Sequence, residues 1–122
     1  MSPVRMTSEE FEGLVTDALD ALPEWTTPLL DEIAVLVRDE PEPGTTRPGV
    51  TLLGQYRGIP ATAHGGRVPG SIPDTITLFR LPILAACRSR EEVPARVLTV
   101  LGHEVGHAMG ISERELRELG WF

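Results

Sequence analysis

The sequence predicts an α+β fold in which helices pack on a small sheet. Apolar residues recur at helical spacing near the N-terminus and through the last third of the chain, whereas three segments between these regions favour strands. The resulting order is α-β-β-β-α-α, and such segregated elements are typical of α+β domains. With 122 residues, of which 41% are hydrophobic, the chain can bury a core, and we expect one domain over residues 1–122.

The first predicted element is a helix over residues 8–22. Thr7 and Glu10 have the spacing of a capping box, in which each side chain accepts a hydrogen bond from the backbone N–H of the other residue. The helical spacing continues until Pro23, which ends the pattern. The apolar residues at this spacing are Phe11, Leu14, Val15, Ala18, Leu19 and Leu22.

Three strands are predicted at residues 31–38, 50–56 and 74–80. The first alternates apolar residues with others, the second is β-prone, and the third has β-branched residues at alternate positions, which makes it the clearest strand pattern in the chain. Proline and glycine interrupt the pattern in 41–49 and 58–73, so these segments are predicted to be loops.

A long helix is predicted to begin between Ser89 and Pro94 and to end at Gly110. Ser89 and Glu92 have capping-box spacing, while Pro94 suits a first helical turn, where no N–H is needed. Glycine readily adopts the left-handed conformation that ends helices. An apolar flank is expected to anchor this helix in the core, and its members are Val93, Val97, Val100, Leu101, Val105 and Ala108.

A short final helix is predicted between Ser112 and Gly120. Ser112 and Glu115 again have capping-box spacing, and Gly120 supplies a stop. Because this helix starts just beyond Gly110, the chain can change direction between the last two helices.

The charge distribution argues against a nucleic-acid-binding protein. The net charge is −7 and the pI is about 4.9, whereas nucleic-acid-binding domains carry a dominant basic footprint. Residues 1–42 carry −9, residues 43–90 carry +5 and residues 91–122 carry −3. Only the middle segment could therefore attract anions locally.

The sequence also predicts a soluble, cytoplasmic protein without a membrane partner. No run approaches the roughly 18 apolar residues that identify a membrane-spanning helix. Residues 1–5 lead into an acidic amphipathic stretch rather than the apolar segment of a secretory signal. The one cysteine, Cys87, cannot form an internal disulfide.

Residues 103–107 read His-Glu-Val-Gly-His, which is the H-E-x-x-H pattern. Helical positions four apart lie about 40° apart around the axis and about 6 Å apart along it. The rings of His103 and His107 can therefore converge on one metal ion. Glu104 projects beside the first histidine, where its carboxylate can accept a proton from a water activated by the metal. The pattern predicts a zinc site.

Glu113 is the leading candidate for a third ligand. In an uninterrupted helix it would lie about 9 Å beyond His107 and about 120° away around the axis. A left-handed turn at Gly110 would fold the chain back and bring its carboxylate to the ion, which completes a known catalytic zinc set of two nitrogens, one oxygen and water. Glu113 could instead only stabilise the N-terminus of the last helix. The alternative third ligands are Glu115, Asp74, His64 and Glu118.

Glycines recur every four residues along the long helix, at Gly102, Gly106 and Gly110. A glycine inside a helix costs about 1 kcal/mol relative to alanine. Close approach of another backbone, such as the strand at 74–80, would explain this cost, and accidental composition is the alternative.

The pattern H-E-x-x-H-x-x-G-x-x-E at residues 103–113 resembles the zincin signature, specifically that of the minimal zincin-like metallopeptidases of bacteria. Residues 53–60 and 73–80 are similar to the segments that precede the active-site helix in that family. The resemblance implies a compact zincin-like core with a small mixed sheet, an active-site helix and a third ligand from the following turn.

The resemblance also implies roles for individual residues. His103, His107 and Glu113 would be ligands of Zn²⁺, and Glu104 would be the general base. The chain departs from the metzincin pattern, which has a third histidine where Glu113 stands and a methionine turn further on.

Two further side chains have open assignments. His64 lies in the glycine-rich loop, where it could stabilise an oxyanion, bind a second ion or be an exposed loop residue. The phenol of Tyr56 could hydrogen-bond a tetrahedral intermediate or pack in the core.

We therefore expect a zinc-dependent hydrolase, and specifically a metallopeptidase that cleaves peptide bonds in a peptide or protein substrate. The alternative is a metal-binding structural or regulatory interaction module without peptidase activity. A third hypothesis is a metal-dependent hydrolase of another bond, including RNA. A water-bearing coordination position would favour hydrolysis, and a fourth protein ligand would favour structure.

Overall fold

Helices flank three strands in the computed structural model, which describes residues 3–58 and 74–119. The predicted α+β class is confirmed. The helices are α1 (Ser8–Ala21), α2 (Thr27–Leu30), α3 (Arg80–Ala85), α4 (Val93–Ala108) and α5 (Glu113–Leu119), the strands are β1 (Ile33–Arg38), β2 (Gly54–Arg57) and β3 (Asp74–Phe79), and two single 3-10 turns occupy Glu24–Thr26 and Arg90–Glu92.

The predicted capping box begins α1. The N–H of Glu10 donates to Thr7 Oγ1 at 3.1 Å, and the N–H of Thr7 donates to Glu10 Oε1 at 3.3 Å. The two bonds satisfy backbone donors that the first helical turn leaves without partners. The apolar side of α1 is buried through Phe11, Val15 and Ala18.

β3 is the central strand of a mixed sheet with the order β1-β3-β2. β1 pairs with it in parallel, with Ile33 opposite Asp74, and β2 pairs in antiparallel, with Gly54 opposite Leu78. Among the strands of the described residues, β2 therefore lies at an edge. Side chains alternate between the two faces of a strand, and in β3 the inward-facing Leu78 is fully buried.

The helix α4 lies at the centre of the packing, in contact with α1, α3, β2 and β3. All the apolar residues predicted for its flank are buried, while His103 and His107 are half-buried on its other side. Neither α4, with 16 residues, nor any other helix within the described ranges is long and apolar enough to cross a membrane.

Several element boundaries differ from the sequence predictions. β2 begins at Gly54, so residues 50–53 are not part of the strand. Arg80, predicted as the end of a strand, instead begins α3, where Pro82 in the first turn causes no loss of a helical hydrogen bond. The short helix α2 was not predicted, because four residues carry too little periodicity.

The start of α4 also corrects one prediction. The side chain of Ser89 caps neither the 3-10 turn nor the helix, and the carboxylate of Glu92 accepts the backbone N–H of Arg88 at 2.9 Å. The proposed capping box between Ser89 and Glu92 is therefore absent. Pro94 lies in the first helical turn, as predicted.

Candidate metal centre

The turn between α4 and α5 determines where the last helix begins. Gly110 has a φ of 80°, in the left-handed region. The N–H of Ile111 donates to the carbonyl of Gly106 at 2.9 Å, and the N–H of Gly110 donates to that of His107 at 2.9 Å. These two bonds form a Schellman motif, which favours glycine at the left-handed position. The chain therefore turns at Gly110, as the sequence predicts.

The first turn of α5 is held by a second capping box. Ser112 Oγ donates to Glu115 Oε1 at 2.9 Å, and the N–H of Glu115 donates to Ser112 Oγ at 3.2 Å. Glu113 is consequently the first residue of this helix.

Gly106 allows α5 to pack closely against α4. A Cβ atom at Gly106 would lie 2.3 Å from Cδ2 of Leu116, whose side chain is fully buried. The neighbour of this glycine is thus a side chain of α5 and not the strand at 74–80, which corrects the expectation for this position.

The three predicted ligands converge. Nε2 of His103 lies 3.0 Å from Nε2 of His107, and both nitrogens lie 3.0 Å from Glu113 Oε1. Hydrogen bonds cannot explain all three contacts. If both nitrogens carry a proton, each can donate to Glu113, but the contact between the two nitrogens then has two donors and no acceptor. If only one is protonated, the other nitrogen and the carboxylate oxygen are two acceptors in contact. Three atoms at this spacing can all lie about 2.0–2.1 Å from one point, which is the length of zinc bonds to nitrogen and oxygen. The donor set therefore fits a metal ion.

The convergence point is accessible from solvent. The exposed fraction of the side chain is 20% for His103, 31% for His107 and 56% for Glu113. The two imidazole rings meet edge to face, with centroids 4.6 Å apart. Because residues 3–58 and 74–119 do not enclose the three donors, these residues leave room for a water molecule or a substrate to reach them, as a catalytic metal site requires.

Glu104 lies beside these donors but is buried. One of its carboxylate oxygens and the ring nitrogens of His103 and His107 all lie within 4.8 Å of one another. Burial raises the pKa of the Glu104 carboxyl, and the Glu113 charge adds to this effect, while a positive charge on His107 and the donated backbone N–H of Tyr56 oppose it. A carboxylate with increased proton affinity is suited to accept a proton.

The N–H of Tyr56 is a part of the site that sequence reasoning missed. It belongs to the backbone of β2 and opposes the rise in the pKa of Glu104, and a backbone donor has no signature in residue type. The only available signal was Gly54, two residues earlier. It lies inside the predicted strand 50–56, and glycine is unfavourable in the interior of a strand.

Two of the alternative third ligands have other partners. Glu115 is engaged in the capping box of α5. Glu118 Oε1 lies 3.6 Å from Nε of Arg114 in an exposed ion pair one helical turn apart. Of these three acids, Glu113 is therefore the one whose carboxylate contacts the two histidines.

Asp74 and Tyr56 are joined to each other. The hydroxyl of Tyr56 donates to Oδ2 of Asp74 at 2.7 Å, and Asp74 is buried at the start of β3. The remaining alternative, His64, lies outside the described residues, so its role stays a prediction.

A mixed sheet packed on a helix with two histidines one turn apart, and with an acid supplied by the following turn, defines the zincin class of protein. The sequence pattern of the zincin-like metallopeptidases matches residues 30–121. The chain therefore belongs to the zincin-like metallopeptidase family.

A solved structure has a similar fold. It is a conserved hypothetical protein from Thermo thermophilus, with 29% sequence identity and a TM-score of 0.60, and the similarity covers 85% of this chain and 94% of that one. No curated protein sequence matches this chain.

Proposed function

We propose that this protein is a zinc-dependent metallopeptidase that hydrolyses peptide bonds in a peptide or protein substrate. The convergence of two histidine nitrogens and one carboxylate oxygen, at mutual distances of 3.0 Å, carries this proposal. Membership of the zincin-like family supports it, and so does the buried carboxylate of Glu104 beside the donors.

In this mechanism His103, His107 and Glu113 hold the zinc ion. Bound zinc would act as a Lewis acid that lowers the pKa of water and polarises the substrate carbonyl. Glu104 accepts a proton from the water whose oxygen attacks the carbonyl carbon. As the bond between carbon and nitrogen breaks, Glu104 donates that proton to the leaving nitrogen, which departs as an amine.

Metal content and peptide cleavage, measured on the same variants, test this division of roles. Elemental analysis should find about one zinc per chain in the wild type and in Glu104→Gln, but not in His107→Ala, because only the latter removes a ligand. Cleavage of a panel of unstructured peptides should be lost in both variants and in the wild type with a chelator. Glu118→Gln is the matched control, since this exposed acid pairs only weakly with Arg114.

Two results would contradict the proposal in different ways. Equal loss of zinc from Glu104→Gln and His107→Ala would show that Glu104 is needed to hold the metal. Bound zinc without cleavage of any peptide would favour the alternative, in which the metal serves a structural or regulatory interaction module.

A further inference from the structure

The edge strand β2 packs against α4, the helix that carries Glu104. An edge strand leaves alternate backbone N–H groups without a partner inside its sheet. The backbone N–H of Tyr56 faces the carboxylate of Glu104 on α4 and opposes the rise in the pKa of that carboxyl. A backbone donor in a sheet is held in place by the strand pairing, here by the antiparallel pairing of Tyr56 with Ile76 on β3.

Gly54 permits β2 to approach α4 closely. A Cβ atom at Gly54 would lie 2.8 Å from Cγ1 of Val100, 3.2 Å from Cγ of Glu104 and 3.3 Å from the carbonyl oxygen of Thr77. The position is buried between a helix and a strand, and protein interiors are close-packed. Any side chain here would push the strand away from the helix or displace Glu104 itself.

The far end of β2 is fixed by a second set of contacts. The hydroxyl of Tyr56 is bonded to the buried Asp74. Gly58 has a φ of 151°, and a Cβ atom there would lie 2.1 Å from Cγ of Asp74. Tyr56 is therefore held through its side chain as well as through its strand.

We propose that β2 is the positioning element for Glu104: the absence of a side chain at Gly54 seats the strand against α4, and the N–H of Tyr56 holds one carboxylate oxygen so that the other is directed at the reacting water. Gly54 is thus a positioning residue. This inference rests on the proposed role of Glu104 as the general base. The contact itself does not depend on that role, which allows the two to be tested separately.

Amide hydrogen exchange of Tyr56, followed by NMR, tests the contact without any substrate. We expect the Tyr56 amide to exchange about tenfold faster in Glu104→Ala, because the acceptor is removed. Glu104→Gln retains an acceptor oxygen and should keep the amide protected. The amide of Ile76, in the central strand, is the internal control and should not change.

Kinetics of the zinc-loaded protein test the positioning. Gly54→Ala should lower kcat about 10- to 100-fold, since a displacement of about 1 Å can have this effect, with KM and zinc content within about twofold of the wild type. Adding Val100→Ala removes the atom that the new Cβ would meet at 2.8 Å and should restore part of kcat, since the contacts with Cγ of Glu104 at 3.2 Å and the carbonyl oxygen of Thr77 at 3.3 Å remain. Gly13→Ala in α1, where a Cβ has no neighbour within 4 Å, is the matched control.

The two measurements test different parts of the proposal. Unchanged exchange of the Tyr56 amide in Glu104→Ala would overturn the proposed contact, whatever the activity. Wild-type kcat in Gly54→Ala would overturn the positioning role of Gly54. If the wild-type protein cleaves no peptide, the proposed function fails, while the exchange measurement still decides whether β2 holds Glu104. If Gly54→Ala does not fold, the exchange of Glu104→Ala and Glu104→Gln decides it.

Discussion

Replacing Gly106 with alanine tests whether the packing of α5 on α4 determines the position of Glu113. The new Cβ would lie 2.3 Å from Cδ2 of Leu116 and 3.2 Å from its Cγ. Leu116 is fully buried, so its side chain has no open space to enter. We expect α5 to move away from α4 and to carry Glu113, three residues earlier in the same helix, away from the histidines.

The expected change in stability follows from two opposing effects. Alanine in place of glycine inside a helix gains about 1 kcal/mol. Overpacking of a buried site costs about 1–3 kcal/mol, and a contact as short as 2.3 Å calls for the upper part of this range. The net free energy of unfolding should fall by about 1–2 kcal/mol, and zinc affinity should weaken about 10- to 100-fold because a ligand loses its support.

Urea unfolding of the metal-free protein and competition with a zinc chelator measure the two quantities. Gly13→Ala is again the control, since its Cβ meets nothing and the change should stabilise the protein by about 0.5–1 kcal/mol. In Gly106→Ala combined with Leu116→Ala, the cost should be smaller than the sum of the single costs by about 1 kcal/mol or more. If Gly106→Ala stabilises the protein as Gly13→Ala does and leaves zinc affinity unchanged, the reasoning is refuted.

Two other changes have expected outcomes. Gly110→Ala should lower the free energy of unfolding by about 1–2 kcal/mol, because alanine is unfavourable at a φ of 80°, and it should weaken zinc binding in the chelator assay. Gly110→Asn should lose less stability, because asparagine tolerates the left-handed conformation better. Equal losses in the two variants would contradict this explanation. In the metal-free protein, burial raises the pKa of Glu104 above the reference value of 4.5. The folded state therefore binds this proton more tightly than the unfolded state does. Stability is consequently lost as the pH rises from about 4.5 through the raised pKa. The Tm of Glu104→Gln should therefore exceed that of the wild type by an amount that grows across this range, and a difference independent of pH would argue against it.

The metal donors could be predicted because their geometry is local. His103 and His107 follow from the period of one helix, and Glu113 follows once Gly110 is assigned a left-handed turn. Every step uses residues within a short stretch of the chain. The structure brings these three side chains together at 3.0 Å, while their roles as zinc ligands stay a proposal.

The features that sequence reasoning missed depend on contacts between distant residues. The end of β3 at Phe79 and the start of α3 at Arg80 are supported by the bonds of Arg80 to Asp39 and to the backbone of Met6. Neither partner is near in sequence, so a strand pattern alone could not place this boundary. The expectation for Gly106 failed for a different reason: its regular repeat suggested a strand neighbour, whereas Leu116, ten residues further along the chain, occupies that space.

The position of Glu104 depends both on the local geometry of its helix and on contacts with another element. The helix α4 sets its distance from the histidines, whereas Gly54 of β2 lies against its side chain and the Tyr56 N–H of β2 opposes the rise in its pKa. Metal binding and proton transfer should therefore respond to different mutations. Changes that move α5, as at Gly110 in the turn or at Gly106 in α4, should displace Glu113 and weaken metal binding. Changes in β2, as at Gly54, leave all three donors in place and act only on the carboxylate. A variant of β2 that keeps its zinc but loses kcat would separate the two functions of this one helix.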